Sequence, residues 1–157
     1  MRRSICLVAL LSACGQLSAA VQPVHARHAM VVTREPHATD IGVAVLQSGG
    51  NAVDAAVGVG MALAVTHPSA GNIGGGGFML VRFADGRATF LDFRERAPGK
   101  ASHDMYRGAD GKSTEDSVIG YLAAGVPGTV RGLEYASKKY GHKPWAELLA
   151  PAIELAG

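Results

Sequence analysis

Apolar positions change their period block by block along this chain, and each period predicts an element. Residues 29–33, Ala-Met-Val-Val-Thr, form a short apolar run that predicts a strand. Ile41, Ala44, Val45 and Ser48 recur at helical spacing, which predicts a helix entered at the capping pair Thr39-Asp40 and stopped by Gly49-Gly50. Asn51 is a good N-cap for a second helix running to Val65, and nearly every residue in it is small or apolar. A helix apolar on all sides is expected to be buried on all sides. Ala55, Ala56, Gly58, Gly60 and Ala62 would let neighbouring elements approach closely, and Asp54 is the polar exception, placed in the first turn where the helix dipole favours an acid. His67-Pro68 ends this helix.

Beyond it the period shifts. Residues 77–84 and 89–93 read as two strands joined by an Asp85-Gly86 hairpin turn, with Pro98-Gly99 ending the second. Asp110-Gly111 marks another turn. Gly125-Val-Pro-Gly128 opens a helix from Thr129 to Tyr140 that Gly141 stops. The last helix covers residues 144–156, with Pro144 suited to its first turn. The order is strand, two helices, hairpin, then two or three helices. That is an α+β arrangement of helices packed on an antiparallel sheet, not alternating βαβ units. The closing helical pattern breaks off where it should pack onto something, so the chain reads as part of something longer.

Composition narrows the setting. Arg2 and Arg3, a short apolar run over residues 5–11, and Ser18-Ala19-Ala20 have the layout of a secretory signal over residues 1–20, too short in its apolar part to span a bilayer. Leu11-Ser12-Ala13-Cys14 also resembles a bacterial lipobox, which would make Cys14 a lipidation site and the only membrane attachment. Either route predicts export, to the periplasm or to an envelope membrane. Cys6 and Cys14 both lie in this leader, so the mature chain is expected to hold no disulfide. Fifteen Lys and Arg stand against thirteen Asp and Glu, and without Arg2 and Arg3 the balance is even. There is no basic stripe and few aromatics, which speaks against nucleic acid.

The chemistry gathers around residues 66–80. Gly74, Gly75, Gly76 and Gly77 are consecutive, although each glycine in a folded segment costs roughly 0.5–1 kcal/mol relative to alanine. Such a tract implies backbone at positive φ, or backbone that something must approach closely. A phosphate loop fails on context, because Phe78-Met79-Leu80 and a strand follow where Lys-Ser/Thr and a helix are needed. The tract also reads as a tight crossing of helix over strand. His25, His28, His37, His67, His103 and His142 are scattered without ligand spacing, so no metal and no cofactor is predicted. No Gly-x-Ser-x-Gly elbow or mature cysteine offers a nucleophile. Arg94 and Arg96 sit two apart at a strand end and would share a face. They could bind a planar carboxylate bidentately, or form surface ion pairs with Asp92 or Glu95.

Four ordered motifs carry a resemblance. Gly49-Gly-Asn-Ala-Val-Asp-Ala-Ala56, Thr66-His-Pro68, Gly71-Asn-Ile-Gly-Gly-Gly-Gly-Phe-Met79 and Asp92-Phe-Arg-Glu-Arg-Ala-Pro98 resemble the N-terminal part of the large subunit of γ-glutamyltranspeptidases, or glutathione hydrolases. Gly125-Val-Pro-Gly128 and Lys139-Tyr-Gly141 fit as well, so residues 21–157 are covered. The resemblance implies a partial N-terminal-nucleophile hydrolase with a four-layer αββα sandwich. It implies a precursor that cleaves itself into large and small subunits. The small subunit's new N-terminal threonine, with its own amine as base, would attack the γ-glutamyl amide, and water, amino acids or peptides would take the acyl group. Glutathione is the expected substrate and the small subunit the expected partner. The motif match gives Arg94 the γ-glutamyl α-carboxylate and leaves Arg96 unassigned. None of Thr33, Thr39, Thr66, Thr89, Thr114 or Thr129 lies in the nucleophile motif, so no catalytic residue is expected here and the piece alone is expected to be inactive. Two alternatives share these residues: a related cephalosporin-acylase-like enzyme, and a non-catalytic exported remnant that binds carboxylates through Arg94.

Overall fold

The computed structural model describes residues 23–157, so the proposed leader and Cys14 lie outside the described residues. The elements are α1 (Pro36–Gln47), α2 (Ala52–Thr66), the hairpin β1 (Phe78–Arg82) and β2 (Ala88–Asp92), then α3 (Thr129–Tyr140) and α4 (Trp145–Ala156). Short 3₁₀ turns at Glu115–Ser117 and Tyr121–Ala123 interrupt the long connection before α3. The α+β class stands. The pairing register runs Phe78 to Asp92 and Arg82 to Ala88, antiparallel. Ala84, Asp85 and Gly86 close the hairpin, with Gly86 at φ 87°, a conformation that favours glycine.

Helix α2 is the hub. It packs on α1, α3 and α4, and the core is Val45 from α1, Val53, Ala55, Val57 and Met61 from α2, Leu133 and Ala136 from α3, and Leu148 and Ala152 from α4. Met79, Val81, Leu91 and Phe93 close over it from the hairpin side. The N-terminus of α2 carries a full capping box. Asn51 Oδ1 accepts from the amides of Val53 and Asp54, and Asp54 returns the bond to the Asn51 amide at 2.8 Å. The sequence reading placed Asp54 by the helix dipole alone, but its role reaches further. Asp54 is fully buried and also accepts from the amides of His142 (3.0 Å) and Lys143 (3.2 Å), while Asn51 Nδ2 donates to Tyr140 O at 2.7 Å. One capping box thus fastens the start of α2 to the link between α3 and α4.

Three sequence expectations are corrected. Residues 29–33 form no strand, because no described backbone pairs with them. Helix α1 begins at Pro36 rather than at Thr39-Asp40. Proline suits the first helical position, the Glu35 carboxylate caps the Ala38 amide at 3.0 Å, and the Thr39 hydroxyl bonds back to Glu35 O at 3.1 Å as a residue already inside the helix. Helix α2 is not buried all round. Ala52 and Ala56 are exposed, and with Val59 and Leu63 they line an apolar groove of about 800 Å³ that residues 29–33 border from the other side. At α4, by contrast, Pro144 is the cap and the helix begins at Trp145.

Candidate functional site

The larger groove contains no acid, lysine or arginine, so the charged chemistry has to be sought elsewhere. It begins at the glycine tract. None of residues 74–77 has positive φ, so close approach is what requires glycine there. The backbone leaving β2 crosses directly over Gly76. A Cβ on Gly76 would lie 2.6 Å from Arg94 Cα, 2.8 Å from the Glu95 nitrogen and 2.8 Å from the Phe93 oxygen. Next to it, Gly75 O accepts from the amides of Gly128 (2.8 Å) and Thr129 (3.1 Å), which seats the first turn of α3 on the tract. Asn72 Oδ1 ties both sides, accepting from the Gly75 amide at 2.9 Å and the Thr129 hydroxyl at 2.5 Å. The Phe93 ring fills the remaining space against α3, where a Cβ on Gly132 would come within 2.2 Å of it. The helix-over-strand crossing read from the sequence is therefore present, built by the glycine tract, the exit of β2 and the start of α3.

This crossing sets Arg94 on a fixed backbone with its side chain exposed. Its guanidinium carbon stands 5.9 Å from the centre of the Phe78 ring, and Phe78 stacks on Phe90 at 5.4 Å. Its amide donates to Asp92 Oδ1 at 3.0 Å. Arg94 opens onto a cleft of about 410 Å³ whose lining includes Arg96, Arg131, Phe90, Val126 and Tyr135. Arg96 is held by a two-way backbone pairing with Val126, at 3.1 and 2.8 Å. Arg131 stands in the first turn of α3, 3.3 Å from Glu134. Asp92 is the one carboxylate residue in the lining, and Lys139 Nζ donates to the Tyr135 hydroxyl at 2.8 Å at the cleft's α3 side. That hydrogen bond holds the Lys139 ammonium above its ordinary value.

Sequence reasoning left two readings for the arginine pair. The ion-pair reading is not realised: among the described residues no carboxylate lies within 4.0 Å of the Arg94 or Arg96 guanidinium. The two do meet in one cleft, although β2 ends at Asp92 and neither belongs to the strand. Arg131 was missed. Its proximity to Arg94 follows from the seating of α3 on Gly75, and no local pattern in the sequence announces it.

Five of the six threonines act as structural donors. Thr33 and Thr39 donate to Glu35 O, Thr66 to Ala62 O, Thr114 to Tyr106 O and Thr129 to Asn72. Thr114, the cap of a 3₁₀ turn outside the arginine cleft, also lies 2.9 Å from Asp116 Oδ2, and the other acceptors are carbonyl or amide oxygens that would not activate a nucleophile. No group of three or more His, Cys, Asp or Glu gathers at metal-binding distance among the described residues.

The family model described as gamma-glutamyltranspeptidase matches residues 38–157. The chain is 56% identical to the glutathione hydrolase proenzyme of Pseudomonas sp. (strain A14) over 98% of its own length and 27% of that relative's. It is 52% identical to the glutathione hydrolase proenzyme of Escherichia coli (strain K12), covering 85% of this chain and 23% of that one. The crystal structure of Helicobacter pylori gamma-glutamyltranspeptidase superposes with a TM-score of 0.82 at 50% identity, over 86% of this chain and 39% of that chain. This chain thus spans about a quarter of the length of these curated relatives. On the match to residues 38–157 and these identities, the chain belongs to the gamma-glutamyltranspeptidase family.

Proposed function

We propose that this chain supplies the α-carboxylate-binding arm of an exported enzyme that cleaves γ-glutamyl amides, glutathione among them, and passes the γ-glutamyl group to water, an amino acid or a peptide. The observation that carries this reading is Arg94: a guanidinium without a carboxylate partner among the described residues, at the edge of a cleft, on backbone pinned to Gly76. A planar guanidinium takes both oxygens of a carboxylate and so fixes orientation as well as position. Holding the α-carboxylate would hold the γ-carbonyl at a set distance, which is what amide cleavage by an external nucleophile needs.

The nucleophile belongs to the small subunit in the family pattern. Its threonine Oγ bonds to the γ-carbonyl carbon, the amide C–N bond breaks, and the amine leaves with the proton taken from the hydroxyl. Water or an amine then releases the acyl group. This chain contributes binding and orientation to those steps, and by itself it is proposed to be inactive. No cofactor enters.

The hairpin supports the larger architecture of a four-layer αββα sandwich. Met79, Val81 and Leu91 face the helical core, while Phe78, Leu80 and Phe90 on the other face are each more than half exposed. A sheet apolar on both faces is built to be covered on both. Residues 1–20 are proposed as the export signal, with lipidation of Cys14 as the alternative route.

Arg94→Lys, in a full-length proenzyme carrying this segment, tests the assignment. Lysine keeps the charge and loses the fork, so the KM for γ-glutamyl donors is expected to rise about tenfold or more, with a smaller change in kcat. An unchanged KM removes Arg94 from the site.

A further inference from the structure

The cleft carries more positive charge than one α-carboxylate needs. Arg94, Arg96 and Arg131 face it against a single lining carboxylate, Asp92, whose Oδ1 is already engaged by the Arg94 amide. With Arg94 assigned to the γ-glutamyl group, Arg96 and Arg131 remain. We propose that these two arginines form a second anion subsite, which binds a carboxylate on the leaving-group side of the donor and makes the enzyme favour γ-glutamyl compounds that carry one. The inference rests on the reading of Arg94 given above.

Three features support it. First, both residues are held from the backbone. Arg96 pairs in both directions with Val126, and Arg131 rides on the first turn of α3, whose Gly128 and Thr129 amides are fixed to Gly75 O. Their positions relative to Arg94 are therefore set by the same crossing that sets Arg94. Second, the size suits one small donor. The cleft volume of about 410 Å³ lies in the usual small-molecule range of roughly 300–1,000 Å³. Third, Arg96 has no carboxylate within 4.0 Å among the described residues, and the one acid on Arg131, Glu134, is shared with Lys138. The Arg96 charge is thus left for a ligand, and that of Arg131 is only partly offset. Val126 and Pro127 line the same space and offer apolar surface to the body of a leaving group between the two anionic ends.

A matched pair of donors isolates the subsite. γ-Glutamyl-4-nitroanilide has one carboxylate, and γ-glutamyl-3-carboxy-4-nitroanilide has the same leaving group with a second. The ratio of their KM values is measured in a full-length Pseudomonas sp. proenzyme whose matching segment is replaced by residues 23–157 of this chain, and in its Arg96→Met, Arg131→Met and Arg96→Lys variants. The proposal expects each Met variant to shift the ratio about fivefold to tenfold against the carboxylated donor, the Lys variant to shift it less, and added salt to shrink the starting preference. A ratio that stays constant while both KM values move together, or that ignores Arg96 and Arg131 altogether, overturns the subsite and leaves the Arg94 reading intact. Arg131 is exposed on α3, so its variant reports even where Arg96→Met disturbs maturation. A parent that cleaves neither donor overturns the reading of the whole site and the subsite with it.

Discussion

The sharpest test of the site is a pair of substitutions two residues apart in the glycine tract. Gly74→Ala and Gly76→Ala make the same chemical change in the same loop, yet their surroundings differ completely. A Cβ at Gly74 meets nothing within 4 Å, and neither position has positive φ. A Cβ at Gly76 would stand 2.6 Å from Arg94 Cα and 2.8 Å from two further atoms, all of them backbone. Carbon atoms rest at about 3.5–4.0 Å, so the clash is about 1 Å, and no side-chain rotation can relieve it. The β2 exit must move away from the tract and take Arg94 with it.

Overpacking of this kind costs about 1–3 kcal/mol. A displacement of about 1 Å in a positioning group can cost about a hundredfold in rate. Gly76→Ala in a full-length enzyme carrying this segment should therefore lower the urea midpoint of unfolding by the equivalent of about 2 kcal/mol and raise the KM for γ-glutamyl donors at least tenfold. Gly74→Ala should leave KM within about twofold and leave stability unchanged or up to about 1 kcal/mol higher, because alanine restricts the unfolded chain. Donor kinetics and urea melts on both variants decide the matter. Equal behaviour of the two, or a Gly76→Ala enzyme with ordinary KM, would refute the claim that close backbone approach explains the tract.

Two other perturbations follow from the same contacts. Asp54→Ala strips the acceptor from the amides of Asn51, His142 and Lys143 and should cost about 3 kcal/mol in denaturant unfolding, whereas a loss below about 1 kcal/mol would show that the buried carboxylate does not fasten α2 to α4. Asn72→Ala unpairs the Gly75 amide and the Thr129 hydroxyl, so the start of α3 should loosen; faster hydrogen exchange at residues 128–132, with a raised donor KM, is the expected result, and unchanged exchange there would count against the tether.

How far the sequence could be read depended on how local each cause was. Helix α3 was legible to the residue, because Gly128 and Gly141 mark both of its ends within a few positions. The start of α1 was misread because Thr39-Asp40 imitates a cap, while the real signal was proline after an acid whose carboxylate bonds an amide three residues on. The strand expected at residues 29–33 needed a partner, and pairing is a property of two segments that no single run of apolar residues determines. Asp54 shows the same limit from the other side. Its first-turn position was visible, but two of its donors come from residues 88 and 89 positions downstream. The motif singled out Arg94, and Arg131 went unseen because only the seating of α3 on Gly75 brings it to the cleft.

The glycines at the crossing explain why binding and folding are hard to separate in this segment. Side-chain bulk at Gly76 would push the Arg94 backbone away, and bulk at Gly132 would push out the Phe93 ring that separates that backbone from α3. The guanidinium therefore inherits its position from the main chain beneath it, with the Phe78 ring beside it and without polar side-chain partners among the described residues. A binding group without polar partners of its own keeps its full hydrogen-bonding capacity for a ligand. It can do so and still be well placed only where the backbone beneath it is rigid. Four consecutive glycines would weaken an ordinary loop. Here they let two chain segments touch, and that contact lets Arg94 remain both fixed and unpaired.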